Sequence, residues 1–313
     1  MSSSSPPESM IRSELWYRDG NIVLQAENTQ FRVHWGVLAQ HSSVFRDMEE
    51  LPQPPDQPTI DGCPIVELSD GPKDVENLLK AMYIPAFYCQ KKLPLPVIDA
   101  HIRLGRKYDC KYFFDLAVAR LTAEFPAALE EFDAIHSGET SGGIEWKADF
   151  SLFHIIAVAS NNNILSALPS AYYRVVQSSS LEKLFDGLER TDGTRASLDS
   201  TDLRRCVIGR QTLLHKQLQA GYTLGWTRKW EFSDCISPAA CGTFRENILS
   251  FYLDEKFVHI GGLLPSTHFY KWNFCPTCAN HITDSIVAGR KKIWDEMPEI
   301  FGLSPWSELK NDI

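Results

Sequence analysis

The residues best suited to chemistry are four cysteines in the last third of the chain. Cys235-x5-Cys241 is followed, after a long interval, by Cys275-Pro276-Thr277-Cys278. CxxC is the spacing at which one tight turn aims two sulfurs at a single ion. Two such pairs meeting in space give tetrahedral thiolate coordination, which suits a structural zinc. The first pair is looser than the usual gap of about two to four residues. Two other assignments therefore stand beside zinc: unligated thiols, or a redox-active CxxC. A histidine, His259, His268 or His281, could also replace one sulfur as ligand. The redox reading lacks the βαβ surroundings of such motifs, because Cys275 follows Trp272-Asn273-Phe274. Cys63, Cys89, Cys110 and Cys206 stand singly and are expected to be ordinary buried residues.

Other chemistry is weakly signalled. The sequence contains no GxSxG elbow, P-loop, strand-borne GxGxxG or HExxH. Asp99 and His101 share a helical segment but lie two residues apart, so they do not face one another. The chain is therefore read as a non-enzyme. A formal charge of -9 over 313 residues argues against direct binding to nucleic acid or an anionic membrane. The most compact basic run, Arg290-Lys291-Lys292, reads as a solvated helix face. The first residues, MSSSSPPES, are polar and disorder-prone, with neither the apolar core of a signal peptide nor a lipidation signature. No apolar run reaches membrane-spanning length. These features suit the cytoplasm or nucleus, where cysteines serve as thiols or metal ligands and not as a disulfide framework.

The elements that must carry these residues begin at Asp19–Phe45. Asn21–Glu27 and Thr29–Val33 read as two short strands around a polar turn at Glu27-Asn28. Val37, Leu38, His41, Val44 and Phe45 then recur at helical spacing. Pro64–Asp70 reads as a third strand running into a helix start with Asp70 as N-cap, and Val75, Leu78, Leu79, Met82 and Tyr83 mark that helix. Two more helices follow, one through Val97, His101, Leu104 and Tyr108, the other through Phe113, Leu116, Ala117, Leu121 and Phe125, closed by Pro126.

The order Phe31-x-x-His34-x-x-Val37-Leu38-Ala39-x-x-Ser42-x-Val44-Phe45, with the Gly105–Cys110 turn, resembles the BTB/POZ domain over residues 12–126. The resemblance implies a protein-interaction fold in which a serine, here Ser42 or Ser43, ends one short helix and caps the next. It also implies a homodimer formed near Ile11, Leu15, Trp16 and Tyr17. Two positions depart from the family. Asn21 stands where an aspartate is usual, and Trp35 replaces a Lys or Arg, so the charged groove of the repressor branch is not carried over. Trp35 reads either as an interface anchor or as a ring packed on its own helix. His34 reads as a partly buried structural histidine.

The expected class is α+β: a disordered segment over 1–11, the BTB/POZ domain over 12–126, and a helical domain over 127–313 holding the cysteine site. Within the latter, Phe150–Ala159, Asn163–Val176, Leu203–Leu218 and roughly Ile282–Glu296 read as helices, and Ser137–Gly143 as a flexible loop. Leu51–Pro58 reads as a proline-rich connection. Ser304 with Pro305 reads as the start of a last short helix. The tail from Trp294 to Leu309, W-D-x-x-P-x-x-F-G-L-x-x-W-x-x-L, resembles a large group of fungal BTB-domain proteins. Three roles follow: an adaptor or scaffold that self-associates or recruits a partner, a substrate receptor for a cullin-type ubiquitin ligase, or a transcriptional regulator. The ligase role is weakened because Ile84–Gln90 lacks the hydrophobic-x-Glu element such receptors carry. The regulator role is weakened by the negative charge. The adaptor is the preferred reading, with Trp16, Tyr17 and Trp35 as interaction residues.

Overall fold

The computed structural model describes residues 9–51, 57–140, 142–146, 151–190, 193–228, 232–253 and 259–313. The chain divides into two compact units. One comprises Met1–Glu124 with Thr140–Trp146 and Ile313, the other Phe125–Glu139 with Lys147–Asp312. Residues 1–8 of the disordered segment expected over 1–11, and most of the proline-rich connection, lie outside the described residues, while Ile11 of that segment belongs to a strand.

In the first unit, β1 (Ile11–Trp16), β2 (Ile22–Ala26), β3 (Thr29–Val33), β4 (Thr59–Ile60) and β5 (Cys63–Leu68) form a sheet in the order β1-β3-β2-β5-β4. The β2–β3 hairpin is antiparallel, with Leu24 opposite Phe31, and the central strand β2 runs parallel to β5. Ile11–Trp16, expected only as the approach to the first strand, is itself a strand, parallel to β3 at the sheet edge.

The helical spacing after β3 resolves into α1 (Trp35–His41) and α2 (Ser43–Glu50), parted at Ser42. The Ser42 hydroxyl accepts the Phe45 N–H at 3.0 Å and donates to the Tyr108 carbonyl, so it caps one helix while fixing the break to a distant turn. The carboxamide of Asn21 accepts the Trp35 N–H at 2.8 Å, satisfying a first-turn donor that His34 leaves open. That bond gives Asn21 a structural role at the position where the resemblance expects an aspartate.

Helix α3 (Pro72–Tyr83) is capped by Gly71, not Asp70. The Asp70 carboxylate instead accepts from Lys107 at 2.8 Å and from the Tyr108 hydroxyl, across the turn at 107–110. After α4 (Pro85–Tyr88) and β6 (Leu93–Pro94), α5 (Leu95–Lys107) and α6 (Lys111–Glu124) pack as a pair. Leu24, Phe31, Leu38, Phe45, Leu104 and Phe113 lie in one core, which joins the hairpin and α1–α2 to the last two helices of the unit.

Residues 142–146, expected to belong to the helical domain with its flexible loop ending at Gly143, return to this unit. There β7 (Ile144–Glu145) pairs in parallel with β6. Leu93 donates to the Gly143 carbonyl at 3.0 Å, and the Trp146 indole donates to Glu124 at 3.0 Å. The side chain at 142 must be absent, because a Cβ there would collide with Glu124.

The second unit is mainly helical: α7 (Leu129–Ser137), α8 (Ser151–Asn161), α9 (Leu168–Ser178), α10 (Leu181–Asp186), α11 (Ser200–Lys216), α12 (Pro238–Tyr252), α13 (Pro276–Asp295) and α14 (Met297–Ile300). A small hairpin of β8 (Leu188–Glu189) and β9 (Arg195–Ala196) interrupts it, an element without enough length to show in the sequence pattern. Asp199 caps α11 by accepting the Thr201 and Asp202 N–H groups, each at 2.8 Å. Helix α13 starts six residues before its expected beginning, since Pro276 at its first position fits a helix entry.

Three expectations fail here. Arg290 is not on a solvated face: it is 8% exposed, donating to the Leu263 carbonyl at 3.0 Å and to Asp133. Cys89 is exposed, unlike Cys63, Cys110 and Cys206. Ser304-Pro305 starts no helix. The chain makes isolated turns there, and the Trp306 indole is drawn to the Trp294 carbonyl at 2.7 Å while the two rings stack at 5.5 Å. The tail aromatics pack back as expected, with Phe301 buried against Tyr172. Among the described residues, no helix is long and apolar enough to cross a membrane.

Candidate metal centre

All four cysteines singled out by spacing come together. The sulfurs of Cys235, Cys241, Cys275 and Cys278 lie within 4.8 Å of one another. The looseness of the first pair has a local cause. Cys235 lies in the approach to α12, and Pro238 starts that helix, so Cys241 is on its first turn. The second pair sits at the start of α13, where Cys275 is the N-cap and Cys278 is on the first turn. Two helix N-termini thus converge on the cluster, and each presents the positive end of its dipole to groups that bind metal as anions.

The backbone reinforces this. The Cys275 N–H donates to the Cys241 sulfur at 3.4 Å. The Cys278 backbone N–H, aimed at the Cys275 sulfur, lowers that thiol to about 6. Burial acts the other way on Cys241 and Cys278, pushing both thiols up. One sulfur in the cluster is thus prepared as a thiolate, and two are held as neutral thiols until a cation compensates them.

The donor set and its spacing fit zinc. Four sulfurs at about 2.3 Å from a tetrahedral ion stand about 3.8 Å apart. The Cys235–Cys275 separation is 3.9 Å. All four thiols are free, and no two are bonded as a disulfide. Trp226, Ile248, Tyr252, Phe269, Ile282 and Ile286 share the apolar cluster that encloses them. Four sulfur donors in apolar surroundings are the pattern of a closed, structural site.

None of the alternative histidines joins the sulfurs. His281 pairs with Asp234 at 3.0 Å and stacks on Phe232 with ring centroids 4.7 Å apart, while His259 stacks on Phe251 at 4.4 Å. The Asp234–His281 pair ties the residue before Cys235 to the turn after Cys278, holding the two halves of the cluster together. Nothing in the sequence marks that pair, because its members lie 47 residues apart.

The interaction residues do not form one surface. Trp16 is half-buried under the Arg12 guanidinium at 4.4 Å, and half-buried Tyr17 stacks on Tyr83 at 4.6 Å. Trp35 is 7% exposed and belongs to the core, so of its two readings the packed ring is the one observed. His34 is half-buried as expected, 3.2 Å from the Tyr83 hydroxyl.

The curled sheet, the paired helices and the serine-capped break are the architecture of an interaction module. The N-terminal unit carries a BTB/POZ domain: the family model of that description matches residues 17–123. No curated protein and no solved structure is significantly similar to the chain.

Proposed function

We propose that the protein is an adaptor, recruiting a partner or a second copy of itself through the BTB domain while its helical unit is braced by a structural zinc. The observation that carries the adaptor reading is the BTB match over residues 17–123, a domain that mediates protein–protein interaction. Its edge strand β1 supports self-association, since Met10 and Ile11 are 54% and 52% exposed at the rim of the sheet. The four converging sulfurs support the zinc.

Light scattering on the full chain tests self-association. A homodimer that Ile11→Glu converts to monomer is expected, and a concentration-independent monomer mass rejects the dimer. Affinity capture with mass spectrometry tests recruitment, and repeated recovery of a cullin would replace the adaptor by a ligase receptor. Metal analysis of protein purified without chelator should give one zinc per chain. Less than about a tenth of that rejects the site.

A further inference from the structure

The four sulfurs of the metal centre differ in how solvent reaches them. Cys241, Cys275 and Cys278 are buried, at 1%, 8% and 0% exposure, whereas Cys235 is half-buried. A small solute therefore meets Cys235 first. The Cys275 sulfur stands 3.9 Å from the Cys235 sulfur. Closing that gap to the roughly 2.05 Å of a disulfide falls to segments outside helix interiors. Cys235 lies in the chain before α12, and Cys275 is the N-cap of α13.

Contacts that involve no cysteine keep this pair together. Asp234, next to Cys235, pairs with His281 of α13 at 3.0 Å. The Phe232 ring stacks on the same imidazole, with centroids 4.7 Å apart. The segment that carries Cys235 is thus fastened to the helix that Cys275 begins.

We propose that Cys235 and Cys275 are an oxidation site for hydrogen peroxide, and that their conversion to a disulfide releases zinc from the cluster. This regulation rests on the zinc reading above. With zinc bound, both sulfurs are thiolates. The Cys235 thiolate attacks one peroxide oxygen, the O–O bond breaks, hydroxide leaves and a sulfenic acid forms. The Cys275 thiolate then attacks the Cys235 sulfur, so that the S–S bond forms and the S–O bond breaks with loss of a second hydroxide. The two sulfurs are oxidised by two electrons, peroxide is reduced by two, and two protons from solvent turn the hydroxides into water. Zinc keeps two of its four sulfur ligands, Cys241 and Cys278, and dissociates. A covalent link across 40 residues of sequence then takes over the joining of the α12 approach to α13.

Titration of the zinc-loaded full chain with hydrogen peroxide tests this. Zinc released beyond a peroxide-free control is read with a chromogenic chelator, and the disulfide is located by peptide mass spectrometry after alkylation. About one zinc released per disulfide is expected, with Cys235 and Cys275 in the linked peptide, and dithiothreitol with added zinc should restore the loaded state. Cys89→Ser should release as much zinc, since that exposed thiol stands outside the cluster. Four results would overturn the inference and leave the zinc site standing: zinc retained in excess peroxide, release without a disulfide, a link between Cys275 and Cys278 or any other pair, or release lost in Cys89→Ser. A chain that carries no zinc before oxidation overturns the zinc reading itself, and this inference with it.

Discussion

Zinc entering the cysteine cluster must displace protons, and the structure sets how many. Metal-bound cysteines are thiolates, so each ligand that is a thiol beforehand releases one proton on binding. Burial keeps Cys241 and Cys278 protonated at neutral pH. Cys275, held at about 6 by the Cys278 backbone N–H, is already mostly thiolate at pH 7 and adds about a tenth of a proton. Loading at pH 7 should therefore release at least about two protons per zinc. The sign follows: acid competes with metal, so affinity rises with pH. Two released protons give about a hundredfold gain in apparent affinity per pH unit near neutrality. The assay is calorimetric titration of reduced, chelator-stripped full chain with zinc, run at one pH in two buffers of different ionisation enthalpy. Release of fewer than one proton per zinc, or affinity flat between pH 6.5 and 7.5, would refute the reasoning, because it would mean that the two buried sulfurs are not ligands.

Three further outcomes are expected. Leu38 is fully buried in the core of the BTB domain, so Leu38→Ala should destabilise that unit by about 2–5 kcal/mol in denaturant unfolding; a change within error would contradict the packing. A Cβ on Gly289 of α13 would approach the Thr223 Cα to 2.7 Å, so Gly289→Ala should cost about 1–3 kcal/mol despite its better helix propensity, as read by thermal melting of the helical unit. Removing the Asp234–His281 tie with His281→Ala should lower zinc affinity about tenfold in a chelator competition, with the melting profile of the zinc-loaded protein retained.

The elements easiest to read were those whose signal is local. The β2–β3 hairpin announces itself by two short apolar runs around Glu27-Asn28, and the helices of the BTB domain by residues three and four apart. The cysteine site was legible because CxxC is itself a local geometry, and residue type alone limits what four converging sulfurs can do. What escaped depends on contacts that leave no periodic trace. Asp70 looks like an N-cap until the α5 turn brings Lys107 and Tyr108 to its carboxylate. Arg290 looks like one of three surface cations until Asp133, 157 residues away, meets it. Ser304-Pro305 has the chemistry of a helix start, and the tertiary pull on Trp306 overrides it.

The return of residues 142–146 to the first unit has a consequence for synthesis. The first unit is not contiguous in the chain: β6 acquires its partner strand, and Glu124 its indole donor, only after Leu129–Ser137 have been made. At about 5–20 residues per second, a ribosome needs about 1–4 s to pass from Glu124 to Trp146. Until that segment is made, the β6 edge beside α6 stays open, and pairing with a foreign strand competes with its own. A chain cut after Pro126 keeps that edge open permanently. A chain that runs to Trp146 can close it, so the first unit is completed about twenty residues beyond α6.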